Sequence, residues 1–186
     1  IKLEKKQILR DSYHQITTKQ NTDKKLTSDQ MTALKNIEIA QHQGKQKFLL
    51  YGVTGSGKTQ IYIEMALKAR ALGKQALILV PEIVLTGQLV TSFKEYFTDD
   101  VAVIHSRLSV GERNDTFWRI RTKQVGIIIG ARSALFAPFE DLGLIVMDEE
   151  HDSSYKQDES PRYHSHDIIE KMAEIYHATL IMGSAT

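Results

Sequence analysis

Two stretches of this chain hold residues that could act on a phosphate together. The first, "GVTGSGKT" from Gly52 to Thr59, fits the spacing G-x-x-x-x-G-K-[ST]. Gly55 and Gly57 let the backbone wrap inward, so that Gly52, Thr54, Gly55, Ser56 and Gly57 form a cradle whose N–H groups converge on phosphate oxygens. A helix starting there aims its positive dipole end at the same charge. Lys58 then reaches the β- and γ-phosphates, and the Thr59 hydroxyl binds Mg²⁺. The second stretch, "LIVMDEEH", ends an apolar run on Asp148, Glu149, Glu150 and His151. A phosphate cradle of this kind needs a carboxylate on a neighbouring strand for the metal and a group that orients the attacking water. Asp148 suits the first role, acting through water because Mg²⁺ keeps much of its hydration shell. Glu149 suits the second. A kinase must keep water from the γ-phosphate, so the paired acids favour hydrolysis over transfer to a small acceptor. His151 reads either as a relay towards "GSAT" at 183–186 or as an ordinary polar loop histidine. ATP and Mg²⁺ are the cofactors these residues imply.

The elements that must position them follow from hydrophobic periodicity. From Lys47 onward, "FLLY", "ALILV", "VAVIH", "GIIIG", "LIVM" and "TLIM" are short apolar runs. Most are continuous rather than alternating, as strands covered on both faces are. Helix-like stretches at 58–72, 86–97, 109–122 and 165–177 lie between most of them, which predicts an α/β fold with a mostly parallel sheet and helices on both faces. Ligands in such sheets sit at the carboxyl ends of the strands, where both stretches fall. "LTSDQMTALKNIEIAQHQG" predicts a preceding helix with Ser28 as N-cap and Gly44 as stop. Ser109 with Glu112 predicts a capping box for the helix at 109–122. Residues 1–25 are polar and weakly periodic, the expectation for a linker or the remnant of a preceding DNA-binding domain. Both ends read as cut, so a longer protein is expected.

Composition narrows the class. The 186 residues include 41% hydrophobic and 25% charged, which excludes disordered and fibrous chains. A net charge of +1 argues neither for nor against nucleic acid, but 142–167 holds seven acids against two bases. That acidic block is either a cation site or a solvated face. With no cysteine, disulfides, thiolate metal sites and cysteine nucleophiles are excluded. His151, His164 and His166 lack the spacing of a structural zinc site. No apolar run approaches the roughly 18 residues of a membrane span, so no membrane partner is expected.

Taken together, "GVTGSGKT", "DEEH" and "GSAT" resemble the motor core of superfamily-two helicases. "LVPEIVLTGQL", "VIHSRLSVGER" and "GARSALFAPFEDLGLIVMDEEHDSSYKQDESPRYHSHD" make the stretch from Leu26 to Thr186 similar to the primosomal replication-restart helicases of bacteria, the PriA family. Gly87 stands where that family usually has Pro, and Gln60 where Glu is common. The resemblance implies a RecA-like P-loop NTPase lobe at 26–186, the ATP-binding motor lobe of a 3′-to-5′ DNA helicase that assembles primosomes and restarts stalled forks. It implies single-stranded DNA and branched forks as partners, with other primosome proteins and the single-stranded-DNA-binding protein engaging the full-length protein. A bacterial cytoplasmic, nucleoid-associated location goes with that, and the family's zinc is expected outside this sequence.

Residue by residue, the resemblance makes Gln30 the glutamine that reads adenine, since a side-chain amide can match N6 and N7 together. Thr86, Arg132 and Ser133 become candidate contacts to DNA phosphates. The polar stretch after the carboxylates becomes an aromatic-rich loop that couples single-stranded DNA to hydrolysis. There Tyr155 and Tyr163 would stack on bases while Lys156 and Arg162 hold phosphates. Six acids in the same loop argue against a strong electrostatic groove. Ser184 and Thr186 would link the nucleotide state to a second motor lobe. Two alternatives differ in class: a nucleotide-binding docking module without turnover of its own, and a P-loop small-molecule kinase.

Overall fold

The computed structural model describes residues 25–53 and 55–185. Thr54, Thr186 and the stretch read as a linker, apart from Lys25, lie outside the described residues. Six apolar runs form one sheet: β1 (Lys47–Tyr51), β2 (Gln75–Leu79), β3 (Val101–Ile104), β4 (Ile127–Gly130), β5 (Leu142–Met147) and β8 (Thr179–Ser184). Between the last two, β6 (Lys156–Gln157) and β7 (Tyr163–His164) make a small antiparallel hairpin. The large sheet has the order β1-β8-β5-β2-β4-β3, and every neighbouring pair is parallel.

Among the described residues, five α-helices cover it: α1 (Ser28–His42), α2 (Lys58–Ala71), α3 (Gly87–Phe97), α4 (Val110–Arg121) and α5 (Ser165–Tyr176). Apolar residues of α1, α2 and α3, among them Leu34, Ile61 and Phe93, pack with Ala76, Ile78 and Val146 on one face. Ile120 of α4 and Ile169 and Ala173 of α5 pack with Leu77, Leu79 and Ile145 on the other. Successive residues of β2 therefore alternate between two cores, which is why the run reads as continuous rather than alternating. Each fully buried Leu or Ile contributes about 1.5–3 kcal/mol, and this central sheet sets a rigid floor for the rim above it.

Capping fixes where the helices begin. Ser109 and Glu112 form the expected capping box at α4. At α1 the cap is Thr27 rather than Ser28: the Thr27 hydroxyl accepts from Gln30 N–H while Gln30 Oε1 accepts from Thr27 N–H. Ser28 has no glutamine or glutamate three positions on, so only Thr27 closes the reciprocal pair. The strand order brings the ends of β1, β8, β5 and β2 side by side along one rim.

Candidate nucleotide site and adjoining rim

β1 leads into the glycine-rich turn, and Gly52 N–H donates to the Ser184 carbonyl at the end of β8 (3.0 Å). Gly57 has φ 87°, and a Cβ there would lie 2.3 Å from Gln30 Nε2. Only glycine fits both the left-handed backbone and the close approach. α2 starts at once, so Lys58 is pinned at its first residue and is 8% exposed. Its Nζ donates to the Gly52 carbonyl (2.5 Å) and lies 3.6 Å from Glu149 Oε1. Residues ninety-one positions apart thus meet at one point.

Asp148 is held from three sides. Its N–H donates to the Leu79 carbonyl of β2 (2.9 Å). Its Oδ1 accepts from the Tyr62 hydroxyl (2.7 Å), and its carbonyl accepts from the Tyr155 hydroxyl (2.7 Å). Burial, reinforced by the negative charge of Asp148, pushes both phenols far above the ordinary tyrosine value, so they act as donors. Glu149 follows with φ 47°, a left-handed conformation uncommon outside glycine. Two hydrogen bonds hold this sharp turn: Asp152 N–H to the Glu149 carbonyl (2.8 Å) and Glu150 N–H to the Gly183 carbonyl (2.9 Å). The turn sends the Glu149 carboxylate back towards Lys58. His151 is exposed, its Nε2 3.8 Å from Glu149 Oε2. The backbone link from this segment to "GSAT" runs through Glu150, one residue before the histidine expected to relay it. An ammonium, a half-buried Thr59 hydroxyl and the seated Asp148 carboxylate are the donor types that a magnesium-bound triphosphate calls for.

Gln30 bridges α1 to the cradle. Beyond its cap bond, its Nε2 donates to the Gly57 carbonyl (3.1 Å). One N–H and one acceptor lone pair of the amide are left for a base edge.

The rest of the rim departs from expectation in one place. Tyr155 does not present its ring for stacking on bases: it is 1% exposed and packs into the core beneath α5. Its carbonyl accepts from Ser165 Oγ (2.8 Å) and its ring meets His166 edge-on. The polar neighbours in "SSYKQ" disguise a residue that anchors the loop rather than one that reads DNA. Tyr163 is half-buried on the hairpin, with Phe136 edge-on at 5.4 Å and the Arg132 guanidinium 5.8 Å from its ring centre. Arg132 also donates to the carbonyls of Ser154 and Lys156, straddling Tyr155. Lys156 and Arg162 are exposed; Lys156 pairs with Asp158 (3.2 Å), and Arg162 Nε donates to the Asp158 carbonyl. Thr86 is exposed and caps α3 through Leu89 N–H (3.3 Å). Ser133 Oγ is buried without a hydrogen-bond partner among the described residues. It lines a cavity of about 300 Å³ with Glu82, Ser106, Arg132, Ser154 and Tyr163. Ser184 is buried at the end of β8.

The family model for the DEAD/DEAH box helicases matches residues 27–186. The chain belongs to the DEAD/DEAH box helicase family. Similar curated proteins include the replication restart protein PriA of Bacillus subtilis, 48% identical over 97% of this chain, and that of Haemophilus influenzae, 46% over 89%. The chain spans 22% and 23% of their lengths. Among solved structures, RecG bound to a three-way DNA junction superposes with a TM-score of 0.63 at 24% identity, over 87% of this chain and 21% of that one. The Sulfolobus solfataricus SWI2/SNF2 ATPase core in complex with double-stranded DNA gives 0.60 at 16%, over 92% and 34%. These superpositions establish the RecA-like fold. Of the two tyrosines on Asp148, sequence reasoning passed over Tyr62 and gave Tyr155 a base-stacking role. Tyr62 had one usable signal, its place one helical turn after Lys58 on the same face.

Proposed function

We propose that this chain is the ATP-binding motor lobe of a 3′-to-5′ DNA helicase that serves primosome assembly and restart of stalled replication forks. The observation that carries the nucleotide half is the 3.6 Å approach of Lys58 Nζ to Glu149 Oε1, beside an Asp148 fixed by Tyr62. Mg²⁺, when bound, neutralises charge on the β- and γ-oxygens. Thr59 and Asp148 are the residues that would hold it, with Thr54 and the neighbouring cradle residues on the phosphates. Lys58 would exchange the Gly52 carbonyl for the phosphates. Glu149 would orient a water and take its proton as the bond from the γ-phosphorus to the leaving diphosphate breaks. A second acid beside the metal carboxylate suits hydrolysis and not transfer to a metabolite, which sets the kinase reading aside.

The DNA half rests on the relatives' names and on the rim. Arg132, Ser133 and Thr86 are the residues we assign to the phosphodiester backbone, on the family resemblance and on the chemistry of guanidinium and hydroxyl groups. Tyr163, Lys156 and Arg162 project from the hairpin that Tyr155 roots against Asp148. That root gives strand engagement a route to the metal site, while His151, Ser184 and Thr186 are the residues to relay it to a second lobe. Gln30 is the adenine reader. Single-stranded DNA, branched forks, primosome proteins and the single-stranded-DNA-binding protein are the expected partners of the longer protein, with a cytoplasmic, nucleoid-associated location. ATP hydrolysis by this chain, and by a longer one carrying the second lobe, tests the reading with and without single-stranded DNA. DNA-stimulated turnover in the longer protein, abolished in Glu149→Gln, is expected. Turnover unaffected by DNA, or phosphate transferred to a metabolite, contradicts it.

A further inference from the structure

The rim carries a seat for the Asp148 carboxylate built from three separate elements. Tyr62 lies on α2, Asp148 follows β5 and Gly183 belongs to β8. The Tyr62 ring is 1% exposed, its hydroxyl 2.7 Å from Asp148 Oδ1. Gly183 leaves room for that contact: a Cβ there would lie 1.9 Å from the Tyr62 oxygen and 2.7 Å from Oδ1. Any larger residue at 183 would force the hydroxyl and carboxylate apart. Asp148 itself is 9% exposed, and the phenol occupies one of its two carboxylate oxygens.

We infer that Tyr62 is a positioning residue for the metal carboxylate, with Gly183 as the gap that admits it. A hydroxyl donated to Oδ1 fixes the plane of the carboxylate and leaves Oδ2 to meet the hydration shell of a divalent cation. Because Tyr62 stands on the helix that begins with Lys58, the same rigid element sets the lysine and aims the carboxylate. Nucleotide and metal groups are thereby registered to one another before either ligand arrives. Outer-shell partners of this sort change metal affinity by about 10- to 100-fold when removed.

This inference rests on the nucleotide-site reading, and the test separates the two. Mn²⁺ is titrated into the chain with saturating ADP and followed by electron paramagnetic resonance, alongside metal-free ADP binding by calorimetry. If the parent chain binds no Mn²⁺–ADP, the site reading fails. If it does, Tyr62→Phe, which keeps the ring, is expected to weaken Mn²⁺ about tenfold while metal-free ADP binding stays within twofold. A merely structural hydrogen bond would lower both alike, or neither. Gly183→Ala, which crowds the seat from the other side, is expected to act in the same direction and stands in should Tyr62→Phe fail to fold. Mn²⁺ affinity unchanged or tightened in whichever variant folds, or a parallel loss of metal-free ADP, overturns the inference.

Discussion

Replacing Tyr155 by Phe separates an anchoring tyrosine from a DNA-reading one. The ring stays and only the hydroxyl is lost, so the Asp148 carbonyl it now satisfies at 2.7 Å is left buried without that donor. A net hydrogen bond is worth about 0.5–1.5 kcal/mol, and an orphaned buried acceptor costs about 1–3. The loss is therefore about 1.5–2 kcal/mol, or roughly 3–8 °C in melting temperature for a chain of this size. Tyr155→Ala also deletes a core ring that is 1% exposed, raising the cost to about 3–5 kcal/mol. Urea unfolding followed by circular dichroism measures both. A solvent-facing, base-stacking tyrosine would behave otherwise, with stability changes within about 0.5 kcal/mol for either substitution. That result would refute the anchoring role.

Tyr163→Ala is expected to show the opposite balance in the longer protein, weakening single-stranded DNA by about 1–3 kcal/mol, as read by fluorescence anisotropy. Gln30→Ala keeps the Thr27 cap but removes the reciprocal half of the capping box and the tie to the Gly57 carbonyl; it is expected to cost about 1 kcal/mol of stability and to erase any preference for ATP over GTP in competition binding. The isolated chain is expected to hydrolyse ATP negligibly in a phosphate-release assay, since an arginine supplied by a second lobe is worth about 10³–10⁵ in rate in related P-loop enzymes. Ser106 hydrogen bonds hold the Glu82 carboxyl below its ordinary value. Its contribution to stability is thus present above the unfolded-state value and lost as pH falls through the lowered one. Ser106→Ala is expected to destabilise slightly at pH 7, Glu82 being exposed, and to match the parent near pH 2 in urea unfolding.

Much of the sheet was legible because buried parallel strands leave uninterrupted apolar runs, and "ALILV" and "LIVM" could hardly be anything else. The cradle and the acids were legible because phosphate chemistry fixes both residue types and their spacing. What the sequence hid were contacts between distant residues. Tyr62 sits inside a helical apolar pattern, where a core tyrosine and one that steers a carboxylate look alike. Tyr155 lies among serines and a lysine, so its neighbours suggest solvent while its ring is buried. The hairpin of β6 and β7 has two residues per strand, too few for any alternation to show. Ser28 was the cap expected from the sequence, and the reciprocal bonds between Thr27 and Gln30 put the cap one residue earlier.

The central claim is that Lys58 and Asp148 act on a single magnesium-bound nucleotide. Calorimetric titration of ADP, with and without Mg²⁺, into the parent chain, Lys58→Ala and Asp148→Asn tests it most directly. Lys58→Ala is expected to lose ADP under both conditions, whereas Asp148→Asn keeps metal-free ADP and loses the gain that Mg²⁺ confers. Two variants that both bind Mg²⁺–ADP as the parent does would contradict it.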